Sequence, residues 1–115
     1  MSLQLTFRRM ANSVALATHV RRRAEKLEHV FGRIVSCHVV IDLAGHHRRH
    51  GNRYRISINL ALPGRELLVS RAPGDEREVE SAHASADRAF DEAERQLEDW
   101  VRRRRAYRHE VRRSA

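Results

Sequence analysis

The sequence predicts a single α+β domain, a four-stranded sheet with two helices packed on one face. Three observations predict it. Four short segments alternate apolar and polar residues, two longer segments repeat apolar residues every three or four positions, and most glycines and both prolines fall between these segments. The segments occur in the order β-α-β-β-β-α, which gives a two-layer sandwich. With 115 residues, 41% of them hydrophobic, the chain can form one small core.

The first strand and the first helix are indicated by a change in apolar spacing. Residues 3–7 alternate apolar and polar side chains, as in a strand with one buried face. Asn12 and Ser13 then offer N-cap oxygens. The apolar stripe of the helix is Leu16, Val20, Ala24, Leu27 and Phe31. Gly32 is expected to end this helix in a left-handed conformation.

Three more strands are predicted at residues 34–43, 54–62 and 66–71. Cys37 is expected on the buried face of the first of them, as a small core residue. Residues 45–52 are polar and bounded by glycine and asparagine, which indicates a hairpin loop, and Pro63-Gly64 indicates a tight turn. The expected solvent face of the sheet carries Ser36, His38, Arg53, Arg55, Ser57 and Asn59.

A second helix follows, because no Gly or Pro occurs after about Val79. Its apolar stripe is Ala86, Phe90, Ala93, Leu97 and Val101, with Trp100 at the edge. We expect the domain to span residues 1–105 and residues 106–115 to form a basic, disordered tail.

Composition excludes several classes of protein. No apolar run approaches the ~18 residues of a membrane span, and the N-terminus lacks the apolar core of a signal peptide. The single cysteine excludes an internal disulfide framework and indicates a cytoplasmic protein. No catalytic triad, carboxylate pair or glycine-rich phosphate loop is visible. We therefore expect no enzyme activity, cofactor or small-molecule substrate.

The net charge of +8 is unevenly distributed. Residues 1–74 carry 13 basic and 4 acidic side chains, residues 75–100 carry 3 and 10, and residues 101–115 carry 7 and 1. All basic residues except Lys26 are arginines, whose planar guanidinium suits phosphate. This pattern favours a polyanionic partner that is met by one face of the protein.

The first helix gathers its cations on one side. At 100° per residue, the four side chains of this basic flank are His19, Arg22, Arg23 and Lys26. A solvated helix face is the simpler interpretation. Binding along a phosphate backbone is the other, because contacts to one backbone must share a path.

The second helix and the tail leave two interpretations open. Arg88, Arg95 and Arg102 are seven residues apart and form one row, which acidic residues crowd: Asp91, Glu92, Glu98 and Asp99. The row forms either intrahelical ion pairs or RNA contacts. The arginine-rich end that includes Arg103 adds salt-sensitive RNA affinity or only solubility.

Three histidines interrupted by two arginines occupy the predicted hairpin tip: His46, His47, Arg48, Arg49 and His50. Imidazoles can bind a metal, but two adjacent guanidiniums disfavour a dication and no thiol or carboxylate is near in sequence. We expect no metal site here and favour a basic tip that touches RNA. A metal- or pH-sensing role of this loop is a third hypothesis.

Five collinear stretches resemble a known family: LQLTF (3–7), RAEKLEHVFGRI (23–34), CHVVI (37–41), LPGREL (62–67) and FDEAERQLE (90–98). Across residues 3–105 the chain resembles the ribosome hibernation-promoting factor and ribosome-associated inhibitor family, short subunit-interface proteins that are sigma-54 modulation protein-like. The family fold is similar to double-stranded-RNA-binding domains.

The resemblance implies a translation regulator of stress and stationary phase. It would bind rRNA of the small ribosomal subunit in the tRNA and mRNA channel and promote hibernation, without the ribosome-dimerising second domain of long members. Arg23, Lys26, Arg33 and Arg95 match basic family positions, whereas Glu92 and the surroundings of Asp99 are commonly lysine there. The alternative is a general RNA- or partner-binding module that has lost the ribosomal site.

The predicted RNA-binding residues combine these arguments. They are Arg22, Arg23, Lys26, Arg33, His47, Arg48, Arg49, Arg88, Arg95, Arg102 and Arg103.

Overall fold

A computed structural model describes residues 1–47, 51–72 and 81–114 of the chain. The element order confirms the predicted β-α-β-β-β-α arrangement. The elements are β1 (Ser2–Arg8), α1 (Val14–Val30), β2 (Ser36–His47), β3 (Gly51–Leu62), β4 (Arg65–Arg71) and α2 (Ala82–Ser114).

The four strands form one sheet in the order β1-β2-β3-β4. β1 pairs in parallel with β2, so α1 is the crossover between them, as a parallel pair requires. The β2–β3 and β3–β4 pairs are antiparallel. Gly64, at φ +77°, supplies the left-handed backbone of the turn between β3 and β4.

The core lies between the helices and one face of the sheet. Phe90 of α2 is fully buried, as are the alternate residues Val39 and Ile41 of β2. Cys37 is fully buried, as predicted. The other members of the two predicted helical stripes that are buried are Leu16, Val20, Ala24, Leu27, Ala86, Ala93, Leu97 and Val101.

The opposite face of the sheet is polar and carries a half-buried ion pair at one edge. Arg9 follows β1 at φ +58° and donates from Nε and Nη2 to the two oxygens of Asp42 at 2.9 and 2.7 Å. Thr6 Oγ1 lies 3.2 Å from Nε2 of His38. Asp42 is 7% exposed, so this pair closes one edge of the open face.

Several predicted boundaries were wrong by a few residues. α1 ends before Phe31, whose extended backbone N–H bonds to the carbonyl of Leu27, and Gly32 does not adopt positive φ. A side chain packed on the core thus ends the helix, instead of a glycine conformation. Val35 falls within the strand predicted at residues 34–43, but it precedes β2 and is 61% exposed.

The predicted hairpin loop is shorter than residues 45–52. Strand pairing continues to His47 and resumes at Gly51, across a register irregularity between Leu43 and Gly45. Residues 48–50 lie outside the described residues.

α2 continues as a helix through Ser114, where the sequence analysis expected a disordered tail. Arginine, alanine and glutamate favour helix, and no glycine or proline interrupts the segment. At 1.5 Å per residue its 33 residues are ~50 Å long. Residues beyond Val101 are mostly exposed. We call residues 102–114 the overhang of α2; the domain boundary at residue 105 stays a prediction.

Candidate nucleic-acid interface

The basic flank of α1 divides into two halves. His19 and Arg23 lie against α2 and contact its acidic residues, while Arg22 and Lys26 are exposed on the outer side of α1. Within the described residues neither Arg22 nor Lys26 forms an ion pair. The two exposed cations are therefore the ones available to an external polyanion.

Arg23 is the centre of an interhelical ion-pair cluster. Its Nη1 donates to Oδ1 of Asp87 at 2.7 Å, and its Nη2 donates to Oδ1 of Asp91 at 2.6 Å and to Oε1 of Glu94 at 3.3 Å. The side chain is 11% exposed, and its guanidinium lies 5.6 Å from the ring centroid of Phe90. These contacts make Arg23 a link between the helices, and they leave little of the guanidinium for phosphate.

His19 completes the cluster from the preceding turn of α1. Its Nε2 lies 2.7 Å from Oδ1 of Asp87, and its ring packs against that of His83 at 5.2 Å. Burial raises the pKa of Asp87, but hydrogen bonds from Arg23 and His19 outweigh it and hold that pKa below the ordinary value. Asp87 is therefore ionised in the folded protein at neutral pH.

Two further acidic residues of α2, Glu92 and Asp99, pair with arginines of the same helix. Arg95 Nε donates to Glu92 at 3.0 Å, and Glu92 is further bound by Gln96, so hydrogen bonds lower the pKa of Glu92 to about 2. Asp99 pairs with Nη2 of Arg103 at 3.0 Å and with Nη2 of Arg102 at 3.5 Å. Glu92 and Asp99 are thus neutralised from within the protein, whereas Asp87, Asp91 and Glu94 share the single charge of Arg23.

These ion pairs bear on the predicted row of RNA-binding arginines on α2, which is Arg88, Arg95 and Arg102. Arg95, Arg102 and Arg103 are exposed, but each pairs with a carboxylate three or four residues away on the same helix. This agrees with the interpretation of the row as intrahelical ion pairs. Arg88 is exposed and lines a groove between β4 and α2, together with Arg71 and Asp91. RNA contact by this row stays a prediction.

A second group of cations meets where α1 ends and the overhang begins. The guanidinium of Arg104 lies 5.5 Å from the ring centroid of Phe31 and 5.2 Å from that of Trp100. The two rings pack edge to face at 5.1 Å. Partial burial, followed by the charges of Arg108 and Arg33, lowers the pKa of Arg104. We call Arg33, Arg104 and Arg108 the arginine corner.

Arg104 is not among the predicted RNA-binding residues, although the sequence contains a signal for it. Leu97, Val101, Arg104 and Arg108 are spaced by four, three and four residues, so the arginines extend the apolar stripe of α2. Beyond Val101, the last buried residue among the described side chains of α2, the same helix face carries guanidiniums in place of core side chains.

The predicted hairpin contacts have no described side chains. Arg48, Arg49 and His50 lie outside the described residues, and of His46 and His47 only the strand backbone is described. In the described ranges no three His, Cys, Asp or Glu side chains are grouped so that they could hold a metal ion. No helix of those ranges is long and apolar enough to cross a membrane.

Comparison with known proteins identifies the family. A sequence model of the family described as sigma 54 modulation protein / S30EA ribosomal protein matches residues 3–105. None of the curated proteins compared with the chain matches it.

Two solved structures share the fold. The N-terminal domain of Protein Y from Thermus thermophilus is 24% identical with a TM-score of 0.68, and the match covers 87% of this chain and 99% of that one. A ribosomal subunit interface protein from Coxiella burnetii is 17% identical with a TM-score of 0.69, over 88% and 98% of the two chains. The matched family consists of non-enzymatic ribosomal factors, in agreement with the expectation from sequence. Because its model spans most of the sequence, this chain belongs to the sigma 54 modulation protein / S30EA ribosomal protein family.

Proposed function

We propose that this protein is a cytoplasmic translation regulator that binds rRNA of the small ribosomal subunit, in the tRNA and mRNA channel, and promotes ribosome hibernation under stress. Family membership supports ribosome association. We assign the RNA-contacting surface to the outer side of α1 because Arg22 and Lys26 are exposed there and have no ion-pair partner among the described residues.

These two side chains are one turn apart on the same side of α1. Cations at i and i+4 are neighbours on a helix surface, and neighbouring cations can follow one phosphate backbone. Arg33, exposed beyond the end of the same helix, adds a third cation on this half of the molecule. The proposed contact surface therefore begins with Arg22, Lys26 and Arg33 and excludes Arg23.

The acidic residues of α2 would repel RNA phosphates, and the ion pairs that they form reduce this repulsion. Asp87, Asp91 and Glu94 share the guanidinium of Arg23, with His19 also on Asp87, and Glu92 and Asp99 pair with arginines of α2. A carboxylate already bonded to a guanidinium repels a phosphate far less than an isolated one does. The ion pairs therefore weaken, without removing, the repulsion between the acidic segment and a phosphate.

The alternative, an RNA- or partner-binding module without the ribosomal site, is favoured by the same pairs. Arg23 and Arg95 match basic positions of the family, yet both are bound to carboxylates here. The two functions differ in one measurable respect, since only the first requires co-migration with ribosomal particles.

Sedimentation of a cell extract on a sucrose gradient tests the proposal. We expect the protein to migrate with small subunits and 70S particles, and the double variant Arg22→Glu/Lys26→Glu to move to the top of the gradient. The charge-matched control Arg8→Glu/Arg65→Glu changes exposed residues away from this side of α1 and should co-migrate as the wild type does. Wild-type protein found only at the top would refute ribosome association. Co-migration of the α1 variant would refute the assigned surface.

A further inference from the structure

The arginine corner shares Arg33 with the proposed contact surface and adds two arginines of α2, Arg104 and Arg108, that the proposed function does not by itself require. Three guanidiniums from two parts of the chain approach one another there. Arg33 follows the end of α1, and Arg104 and Arg108 occupy successive turns of the overhang. In the described part of the chain none of the three forms an ion pair or hydrogen bond with a carboxylate. The corner therefore contrasts with the rest of α2, where carboxylates accompany the arginines.

Arg104 is held in place by stacking. Its guanidinium faces both Phe31 and Trp100, and its Nη1 is buried without a hydrogen-bond partner. Cation–π contact with two rings fixes the plane of the guanidinium but satisfies none of its N–H groups. A planar guanidinium fixed in this way can donate from its accessible N–H groups to a phosphate with little loss of side-chain entropy.

Charge repulsion gives the corner a preference for an anion. Like charges that converge without a counterion raise the energy of the free protein, and an anion placed between them removes that cost. A groove lined by Arg105, Arg108, His109 and Arg112 continues from the corner along the overhang. An extended chain of phosphates fits this arrangement better than a single ion does, because the cations continue over two turns of helix.

We propose that Arg33, Arg104 and Arg108 bind a backbone phosphate of RNA, and that the strand then continues along the groove lined by Arg105, Arg108, His109 and Arg112. This inference rests on the proposed function for the identity of the nucleic acid. It adds a binding site on the overhang, separate from Arg22 and Lys26.

The single tryptophan of the chain reports on the corner directly. Because Arg104 lies over the ring of Trp100, a phosphate that draws on this guanidinium should change the fluorescence of Trp100. The experiment titrates full-length protein with a 20-nucleotide single-stranded RNA, and separately with inorganic phosphate, while tryptophan emission is recorded. We expect a saturable change with RNA at concentrations where inorganic phosphate gives little.

Three variants locate the site. Arg104→Gln and Arg108→Gln should each weaken RNA binding about tenfold and lower the slope of log affinity against log salt by about 1. Arg102→Gln removes the same charge from an exposed arginine paired with Asp99 and should change both quantities much less. Arg108 is exposed and packs on nothing in the core, so its variant tests the site without endangering the fold.

The outcomes separate this site from the proposed function. The corner is refuted if RNA leaves Trp100 emission unchanged, or if Arg102→Gln weakens binding as much as Arg104→Gln does. Saturation by inorganic phosphate at lower concentration than by RNA would overturn the assignment to a nucleic-acid backbone. Failure of ribosome co-migration with an intact Trp100 response would refute the proposed function and leave the corner standing as an RNA site.

Discussion

Nη1 of Arg23 on α1 lies 2.7 Å from Oδ1 of Asp87 on α2, although 64 residues separate them in the chain. Nη2 of the same guanidinium binds Asp91 and Glu94. This one side chain joins the two helices and neutralises part of the acidic segment of α2. The cluster explains how a basic protein can carry an acidic segment on a helix next to its proposed RNA-binding surface.

Arg23→Ala should lower the free energy of unfolding by about 2 kcal/mol, because it leaves three carboxylates close together without their shared donor. Urea denaturation followed by circular dichroism measures this loss. Arg22→Ala is the matched control, one residue earlier and exposed, and should stay within about 0.5 kcal/mol of the wild type. Equal stability of the two variants would show that the cluster does not hold the helices together.

Acid should remove the contribution of Asp87. Its pKa in the folded protein is lower than the ~3.9 of an unfolded chain, so the stabilisation is complete above that value and disappears as pH falls through the folded pKa. Asp87→Asn has no such titration. We expect the melting temperature of the wild type to exceed that of Asp87→Asn at pH 6 and to approach it by pH 3. A difference that is constant across this range would contradict the ion pair.

At position 9 a glycine variant should be more stable than an alanine variant, the reverse of the usual order. Its φ of +58° is costly for a residue with a Cβ, and both variants lose the bonds to Asp42. Arg9→Gly should therefore be more stable than Arg9→Ala by roughly 0.5–1 kcal/mol, after the greater freedom of unfolded glycine is subtracted. Parallel thermal melts compare the two, and a more stable alanine variant would refute the strained backbone.

Cys37 should be inert in the folded protein. Burial raises the pKa of its thiol to about 12, and the residue is fully buried, so thiolate is absent at pH 8. We expect no reaction with Ellman's reagent under native conditions and release of one equivalent in guanidinium chloride. Rapid native labelling would mean that the core opens around β2.

The sequence alone determined the order of elements and most of the core. Periods of 2 and 3.6 residues are local properties, and they identified both helical stripes and the alternation of β3, with the buried positions confirmed. Local signals were weakest at ends, because a packed side chain such as Phe31 can end a helix where glycine was expected.

The tertiary structure alone decided which cations remain available. Helical periodicity places His19, Arg22, Arg23 and Lys26 on one flank of α1, but it does not say where the neighbouring helix lies. Packing of α2 along one half of that flank buries Arg23 among carboxylates and leaves Lys26 exposed. Likewise, the stacking of Arg104 depends on α1 ending beside α2. Ion pairs between residues more than 60 apart depend on the path of the chain in space, which the local pattern of a sequence does not contain.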